Sequence, residues 1–510
     1  MNVNAITEGQ GESQQLSLHT LSKLIRSFLN NLYPLCRQVS FMITILPEEM
    51  QALDRNCEYF GLLPLQLMEN AGAALAREVR VRSAGKRIAI VAGKGNNGGD
   101  AFVAARHLSD YHVTIYLLGK SRDISTEVAK RNWGVLEKLG FNLVELADAA
   151  NLNLQTCDLV LDAIFGTGVH GQVKGLEAAA IDAINSAGKP IISVDVPSGV
   201  GTDKVVRPDL VVTFHRPKPG MTGEVVVADI GIPPVAEFFV GPGDLWLVGK
   251  RTPESHKGDS GRILVVGGGP YTGAPALTAM AALRAGADVV TVAAPKSASF
   301  TIAGFSPNLI VREVSGDHLR PEDLKILKDQ IARHDVEVMG MGLGRDPETH
   351  EALAQIIPLC KKTVIDADAL QPDLPLKGIV TPHVGEFKRI SGIALSGVGY
   401  RERIDPLKGY AREKGLVVLL KGKVGPVSNL ITDGEIVRAN TNGNPGMTVG
   451  GTGDVLAGVT AAFYARTSAL RAATAAAFVN GRAGDLVYVE KDFGMVATDV
   501  IEKIPEAMRL

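Results

Sequence analysis

The sequence predicts an α/β protein of two domains in tandem, and three observations carry that expectation. Short runs of Val, Ile and Leu alternate with helical stretches twice over, first between residues 87 and 214 and again between residues 262 and 422. A stretch holding three prolines and two glycines, residues 232–243 (IPPVAEFFVGPG), separates the two series. Glycine, asparagine and aspartate gather just after the apolar runs, where open parallel sheets place their ligands. Near-continuous apolar strands joined by helices mean a parallel sheet covered on both faces.

The totals agree with this plan. A chain of 510 residues has room for two or more domains. Its 45% hydrophobic and 21% charged residues describe a soluble globular protein with ample core. A formal charge of −2 provides no electrostatic footprint for nucleic acid or an anionic membrane, so neither is expected as a partner. Cys36, Cys57, Cys157 and Cys360 lie far apart with no CxxC pair. That argues against a zinc site or disulfide framework and fits a reducing, cytoplasmic location. No apolar run approaches the ~18 residues of a membrane span. Residues 1–41 begin polar and continue as LSKLIRSFLNNLYPLCRQVSF, without the basic start, long apolar centre and cleavage site of a signal peptide. They read as a dispensable, poorly ordered extension, or translation begins at Met42.

In the first domain the strand-like runs are residues 87–93, 112–119, 157–166, 190–197 and 209–214. The loop GKGNNGGD (93–100) follows a strand and opens a helix, a place for a phosphate on backbone amides. It is neither GxGxxG nor a P-loop. Asn97, Asp162 and Ser198 offer oxygen ligands from three strand ends, which suits a hard cation such as a monovalent metal ion; helix caps and turn residues are the alternative. Asp195 ends an apolar strand ahead of Pro-Ser-Gly, making it a candidate base, with strand-end capping as the alternative.

GNNGGD, DAIFGTG and DVPSG, in this order, resemble the NAD(P)H-hydrate epimerase domain over residues 42–240. The resemblance implies a Rossmann-like three-layer parallel sheet. It implies that Asn96, Asn97, Gly98, Gly99 and Asp100, with Gly166, Thr167, Gly168, Val169, His170, Gly171 and Gln172, hold the hydrated dinucleotide. It further implies potassium on Asn97, Asp162 and Ser198, and proton transfer at Asp195, which also meets the substrate. Ala101 stands where the family usually has glycine, and the segment between Gly199 and Asp209 is short.

In the second domain the runs are residues 262–268, 287–294, 335–342, 362–368 and 415–422, and residues 426–440 suggest a hairpin. The stretch 440–454 (NTNGNPGMTVGGTGD) places five glycines ahead of the helix-like run 455–466. A helix start has unpaired N–H groups and a partial positive charge, so it receives anions. Gly450, Gly451 and Gly453 let that backbone approach a phosphate. Asp454 beside such a cradle reads as an acid/base group facing a second substrate, or else as an ordinary first-turn aspartate. The Ala-rich run 471–487 reads as one or two packed helices.

Strands closed by a glycine-rich anion hole match the ribokinase-like architecture. SHKG (255–258), YTGAP (271–275), GMGLG (340–344), DADAL (366–370), TPHVGEF (381–387) and GGTGD (450–454) together resemble the ADP- or ATP-dependent NAD(P)H-hydrate dehydratase, over residues 250–510. The fused pair resembles the bifunctional NAD(P)H-hydrate repair enzymes, so the implied substrates are NADHX and NADPHX and the implied assembly is a homo-oligomer. The hydrate carries a hydroxyl on C6 of the reduced nicotinamide ring. Phosphorylating that oxygen makes a leaving group, and elimination then restores the ring. Asp454 would act as base, with the amides of 450–453 stabilising the moving phosphoryl group. By the resemblance, Lys421, Gly422, Lys423, Val424 and Gly425 surround the nucleotide. So do Asn444, Pro445, Gly446, Met447, Thr448, Val449, Gly450, Gly451, Thr452 and Gly453. Ala274, Gly342 and His383 line the hydrate side with Asp454; the alternative for His383 is a packed core histidine.

Val384-Gly385-Glu386 replaces the family's usual Pro-Gly-Glu. Magnesium is expected with the nucleotide. Asp366 and Asp368 could touch it, although strand-end capping explains them more simply. ADP is the preferred donor over ATP. A ribokinase-like small-molecule kinase joined to a silent binding domain is the competing reading.

Overall fold

A computed structural model describes residues 44–249, 254 and 256–509. The extension 1–41, Met42, residues 250–253 of the junction and Ser255 of the SHKG motif lie outside the described residues. The described chain falls into two compact units. One runs to Met50 and then over Gly61–Val235; the other takes Gln51–Phe60 and continues from Ala236.

The first unit is built on seven parallel strands: β1 (Arg87–Ala92), β2 (His112–Leu118), β3 (Asn142–Leu146), β4 (Leu159–Ala163), β5 (Ile191–Val194), β6 (Leu210–Phe214) and β7 (Glu224–Ala228). Their order is β3-β2-β1-β4-β5-β6-β7. Every residue of β4, β5 and β6 is buried, so both faces of the sheet centre are covered, as the apolar runs predict. The sequence reading did not single out the two edge strands. An edge strand keeps part of its surface in water, which relaxes the demand for apolar residues. Accordingly β3 reads NLVEL and β7 leaves Val225 and Val227 exposed.

The second unit has nine strands: β8 (Arg262–Val266), β9 (Val289–Pro295), β10 (Ile310–Val314), β11 (Val336–Met339), β12 (Thr363–Ile365), β13 (Ile379–Val380), β14 (Val417–Val424), β15 (Val427–Thr432) and β16 (Val437–Asn440). The order is β10-β9-β8-β11-β12-β13-β14-β15-β16. The ladder is parallel as far as β14, and β15 and β16 then pair antiparallel, giving the expected terminal hairpin. Two strands went unread: β10, an edge strand, and β13, only two residues long. The Ala-rich run forms one helix, Ala469–Lys491.

The helix Thr452–Tyr464 packs closely on Gly273–Arg284. A Cβ at Gly458 would lie 2.1 Å from the Thr278 carbonyl oxygen, so only glycine allows this approach. Thr278 Oγ1 also donates to the Asp454 carbonyl (3.1 Å), tying the two helices together beside the anion-binding turn.

One core carboxyl has a measurable consequence. Glu337, in the middle of β11, is 1% exposed, and its Oε2 has no hydrogen-bond partner. Burial pushes it up to about 7. Between the unfolded value near 4.5 and that folded value the native state holds the extra proton, so stability falls as pH rises through this interval. The loss is on the order of 3 kcal/mol. Urea unfolding of Glu337→Gln should therefore show a smaller decline from pH 5 to pH 8 than the parent chain. Parallel declines in the two proteins would refute the assignment.

Candidate active sites

In the first unit the notable residues collect at the carboxyl ends of β1, β4, β5 and β6. The GNNGGD stretch opens the helix Asn96–His107, capped by Gly95. Its glycines serve packing first: a Cβ at Gly93 would lie 1.9 Å from the Ile164 carbonyl oxygen, and one at Gly98 2.2 Å from the Gly93 oxygen. Gly98 and Gly99 are buried and Asn96 exposed, with Thr126 Oγ1 donating to its Oδ1 at 2.6 Å. Asp100 is half-buried on the same helix, just past its first turn. Residues 166–172 form a largely open loop: Gly168, His170, Gly171 and Gln172 are exposed, and Gly166, Thr167 and Val169 half-buried. Ala101 is fully buried on the helix, where a methyl group fits.

The three expected cation ligands are brought together around one backbone turn. Asn97 Nδ2 donates to the Phe165 carbonyl at 2.9 Å, and Ser198 Oγ accepts from the Phe165 N–H at 2.9 Å. Asp162 is fully buried; its Oδ2 accepts from Ser193 Oγ (2.7 Å) and the Ser198 N–H (2.9 Å). Burial drives its carboxyl above the ordinary aspartate value. No lysine or arginine pairs with it among the described residues. A buried carboxylate held by neutral hydrogen-bond donors fits a bound cation, which would supply the missing positive charge.

Asp195 stands at the end of β5 with φ +62°, a left-handed conformation rare for a residue other than glycine. This turn carries its carboxylate back to β6, where Oδ1 accepts from Thr213 Oγ1 (3.2 Å), the Phe214 N–H (3.2 Å) and the Lys218 ammonium. The side chain is 18% exposed, so it faces an opening rather than the core. Lys218 went unmarked in the sequence. A lone lysine in HRPKPG carries no spacing signal, and only the fold brings it onto Asp195.

In the second unit Asp454 lies in the first turn of Thr452–Tyr464, whose cap Gly451 has φ +96°. A Cβ on Gly451 would also meet Leu277 at 2.6 Å and Ala497 at 2.9 Å. Thr452 turns its hydroxyl back onto the Met447 carbonyl (2.7 Å), which fixes the preceding loop. Gly450 is exposed with open space around it, and the Cβ position of Gly453 lies 3.4 Å from Lys421 Nζ. The helix tip is thus a bare anion cradle with an ammonium beside it.

Lys421 sits among three carboxylates. Its Nζ donates to Asp366 Oδ1 at 2.7 Å and lies 3.9 Å from Glu386 Oε2. Burial alone would lower the ammonium, but Asp366 and Glu386 hold it above the ordinary lysine value. Asp454 is the third acid in its field. Burial, followed by Asp366, pushes Asp454 up to about 7, with Glu386 adding to the rise and Lys421 opposing it. Burial likewise raises Glu386. Asp366 is 2% exposed and belongs to this cluster, whereas Asp368 does cap: its Oδ2 accepts from the Gly344 N–H at 3.1 Å. Glu386 was overlooked as a charge in the site, although TPHVGEF contains it.

His383 is not a packed core residue; its side chain is 59% exposed. It caps the helix Val384–Ser391, its Nδ1 accepting from the N–H groups of Gly385 (3.0 Å) and Glu386 (3.2 Å). Those bonds leave the proton on Nε2, on the Glu386 side. Glu386 returns the capping box to the His383 N–H at 2.8 Å, so Val384 replaces the usual proline without loss of the cap. Gly342, φ +70°, presses against the Tyr271 carbonyl and joins GMGLG to YTGAP, while Ala274 is half-buried in the same wall.

The remaining expected nucleotide residues divide. Asn444 caps the turn Pro445–Thr448 and donates to Asp485 (2.9 Å), Gly446 packs on Met495 and Tyr488, and Met447 lies against Gly484. Pro445 and Thr448 are exposed, and Val449 is half-buried. A register shift between Lys421 and Val424 splays the hairpin tip, leaving Gly422, Lys423 and Gly425 exposed. Lys423 Nζ donates to the Gly443 carbonyl at 3.2 Å.

Comparison with known proteins agrees with both halves. Residues 64–220 match the family described as YjeF-related protein N-terminus, and residues 263–506 match NAD(P)H-hydrate dehydratase. A protein named bifunctional NAD(P)H-hydrate repair enzyme Nnr from Archaeoglobus fulgidus is 44% identical over 91% of this chain and 98% of its own length. Proteins of the same name from Methanothermobacter thermautotrophicus and Hyperthermus butylicus are each 42% identical, over 91% and 90% of this chain and 95% and 91% of theirs. With two sites of this construction and relatives matched nearly end to end, the chain belongs to the family of bifunctional NAD(P)H-hydrate repair enzymes.

Proposed function

We propose that each unit carries one step of the repair: residues 42–240 interconvert the R and S hydrates of NADH and NADPH, and residues 250–510 dehydrate the S form with ADP, or alternatively ATP. The observation that carries this reading is Asp454. A carboxyl raised to about 7 stands at a bare helix tip beside Lys421, where a base and a phosphoryl group must meet.

In the dehydratase, the N–H groups at the tip of Thr452–Tyr464 and the Lys421 ammonium attract the nucleotide phosphates. Asp454 takes the proton from the C6 hydroxyl as its oxygen attacks the phosphoryl group. His383, Ala274 and Gly342 wall the hydrate side. Three carboxylates facing one ammonium leave surplus negative charge, and the oxygens of Asp366 and Glu386 fit magnesium, which would screen the phosphates. In the epimerase, Asp195 takes the C6 hydroxyl proton as the C6–N1 bond breaks to an aldehyde, with the electron pair and a proton going to N1, and the reverse closure on the opposite face inverts C6. Residues 96–100 and 166–172 hold the dinucleotide, and Asn97, Asp162 and Ser198 hold potassium. That ion would supply the counter-charge Asp162 lacks.

The test uses the purified chain with separated R and S hydrates, each with ADP and with ATP, following recovery of NADH absorbance. No recovery with either nucleotide, or a stable phosphorylated product, would overturn the repair assignment. Asp195→Ala should slow R conversion by about 10²–10⁴-fold, the usual worth of a positioned acid/base group, while S dehydration is unchanged. Comparable loss on both epimers would remove Asp195 from the epimerase role.

A further inference from the structure

The Lys218 ammonium is 2% exposed, yet it belongs to no surface ion pair and no motif the family resemblance uses. Its three N–H groups have three acceptors: the Asp195 Oδ1 atom, Thr213 Oγ1 at 3.1 Å and the Phe214 carbonyl at 2.8 Å. No proton is left over for a ligand. Thr213, having accepted from Lys218, passes its own hydroxyl proton to the same Oδ1 at 3.2 Å, and the Phe214 N–H adds a third donor at 3.2 Å. One oxygen of Asp195 is therefore saturated by donors from the β6 end. Oδ2 has no partner among the described residues and belongs to a side chain that reaches solvent.

Two neighbouring strand ends turn through left-handed residues to make this contact, Asp195 after β5 (φ +62°) and His215 after β6 (φ +66°). Such conformations persist only where the surroundings hold them. We infer that Lys218 is the positioning residue of the epimerase: with Thr213 it clamps Oδ1 of Asp195, so that Oδ2 alone is presented, in fixed orientation, to the C6 hydroxyl proton. Lys218 does not touch the hydrate and is not a general acid. This inference rests on the reading of Asp195 as the epimerase base.

The two are separable by comparing Asp195→Asn, Lys218→Met and the double variant in R-hydrate conversion. Lys218→Met should lower kcat at least tenfold with KM within about twofold, because binding does not use the ammonium. The double variant should match Asp195→Asn alone, since a clamp has nothing to act on once the carboxylate is gone. Thr213→Val, which removes one donor without touching the buried charge, should show a smaller kcat loss with the same KM; it serves if circular dichroism shows Lys218→Met misfolded. If Asp195→Asn is inactive while Lys218→Met and Thr213→Val keep kcat within twofold, the clamp is refuted and the base stands. A double variant well below Asp195→Asn would equally refute it, by giving Lys218 a separate role. If Asp195→Asn remains active, the base assignment falls and the clamp falls with it.

Discussion

Asp454→Asn should remove dehydration of the S hydrate almost entirely, with kcat down about 10²–10⁴-fold and the R-to-S epimerisation rate unchanged. The substitution preserves shape at the helix tip and the Thr278 bond to the backbone oxygen, so folding should survive. The parent enzyme carries a second signature. Asp454 is protonated below about pH 7, chiefly because it is buried and then because Asp366 lies nearby. A base must be deprotonated to act, so kcat/KM for dehydration should rise with pH and level off above about 7. A carboxylate in water would instead place that limb near its ordinary value of 3.8. A variant retaining more than a tenth of parental kcat, or a flat profile between pH 5 and 8, would exclude Asp454 as the base.

Lys421→Met should damage both stability and rate. Among the described residues the lysine is the only cation paired with Asp366, which is 2% exposed, and it also faces Glu386 and Asp454. Removing one partner from a buried ion pair leaves an uncompensated charge, typically costing about 3–5 kcal/mol. The acids can relieve the cost only by taking up protons. Lys421 is also the one group holding Asp454 down, so the acid limb of the dehydration profile should move to higher pH. Both effects are readable in one preparation, by urea unfolding at pH 8 and by kcat/KM against pH. A variant as stable as the parent with an unmoved limb would show that the ammonium is only a phosphate ligand. Glu386→Gln makes the complementary check, since Glu386 raises Asp454 and its loss should shift the limb the opposite way.

Much of this architecture was legible because it repeats a simple pattern. Fully buried parallel strands are apolar at nearly every position, and β4, β6 and the sheet-centre strands of the second unit were read on that basis. The edges were not, because β3, β7 and β10 keep polar or exposed residues, and β13 is too short to show a period. Asp195 and Asp454 were visible for another reason. Each ends or opens an element within two residues of glycine or proline, where capping is the alternative role for an acid.

The sequence alone marked the candidate ligand positions, those that must leave an apolar strand or open a helix, since these ends are set by local pattern and turn chemistry. It could not determine which charges meet each other. Lys218 on Asp195, and Lys421 among Asp366, Glu386 and Asp454, join side chains from strands and loops far apart in the chain. Their protonation depends on burial and on the distance between charges, quantities that exist only once the sheet has brought those ends together.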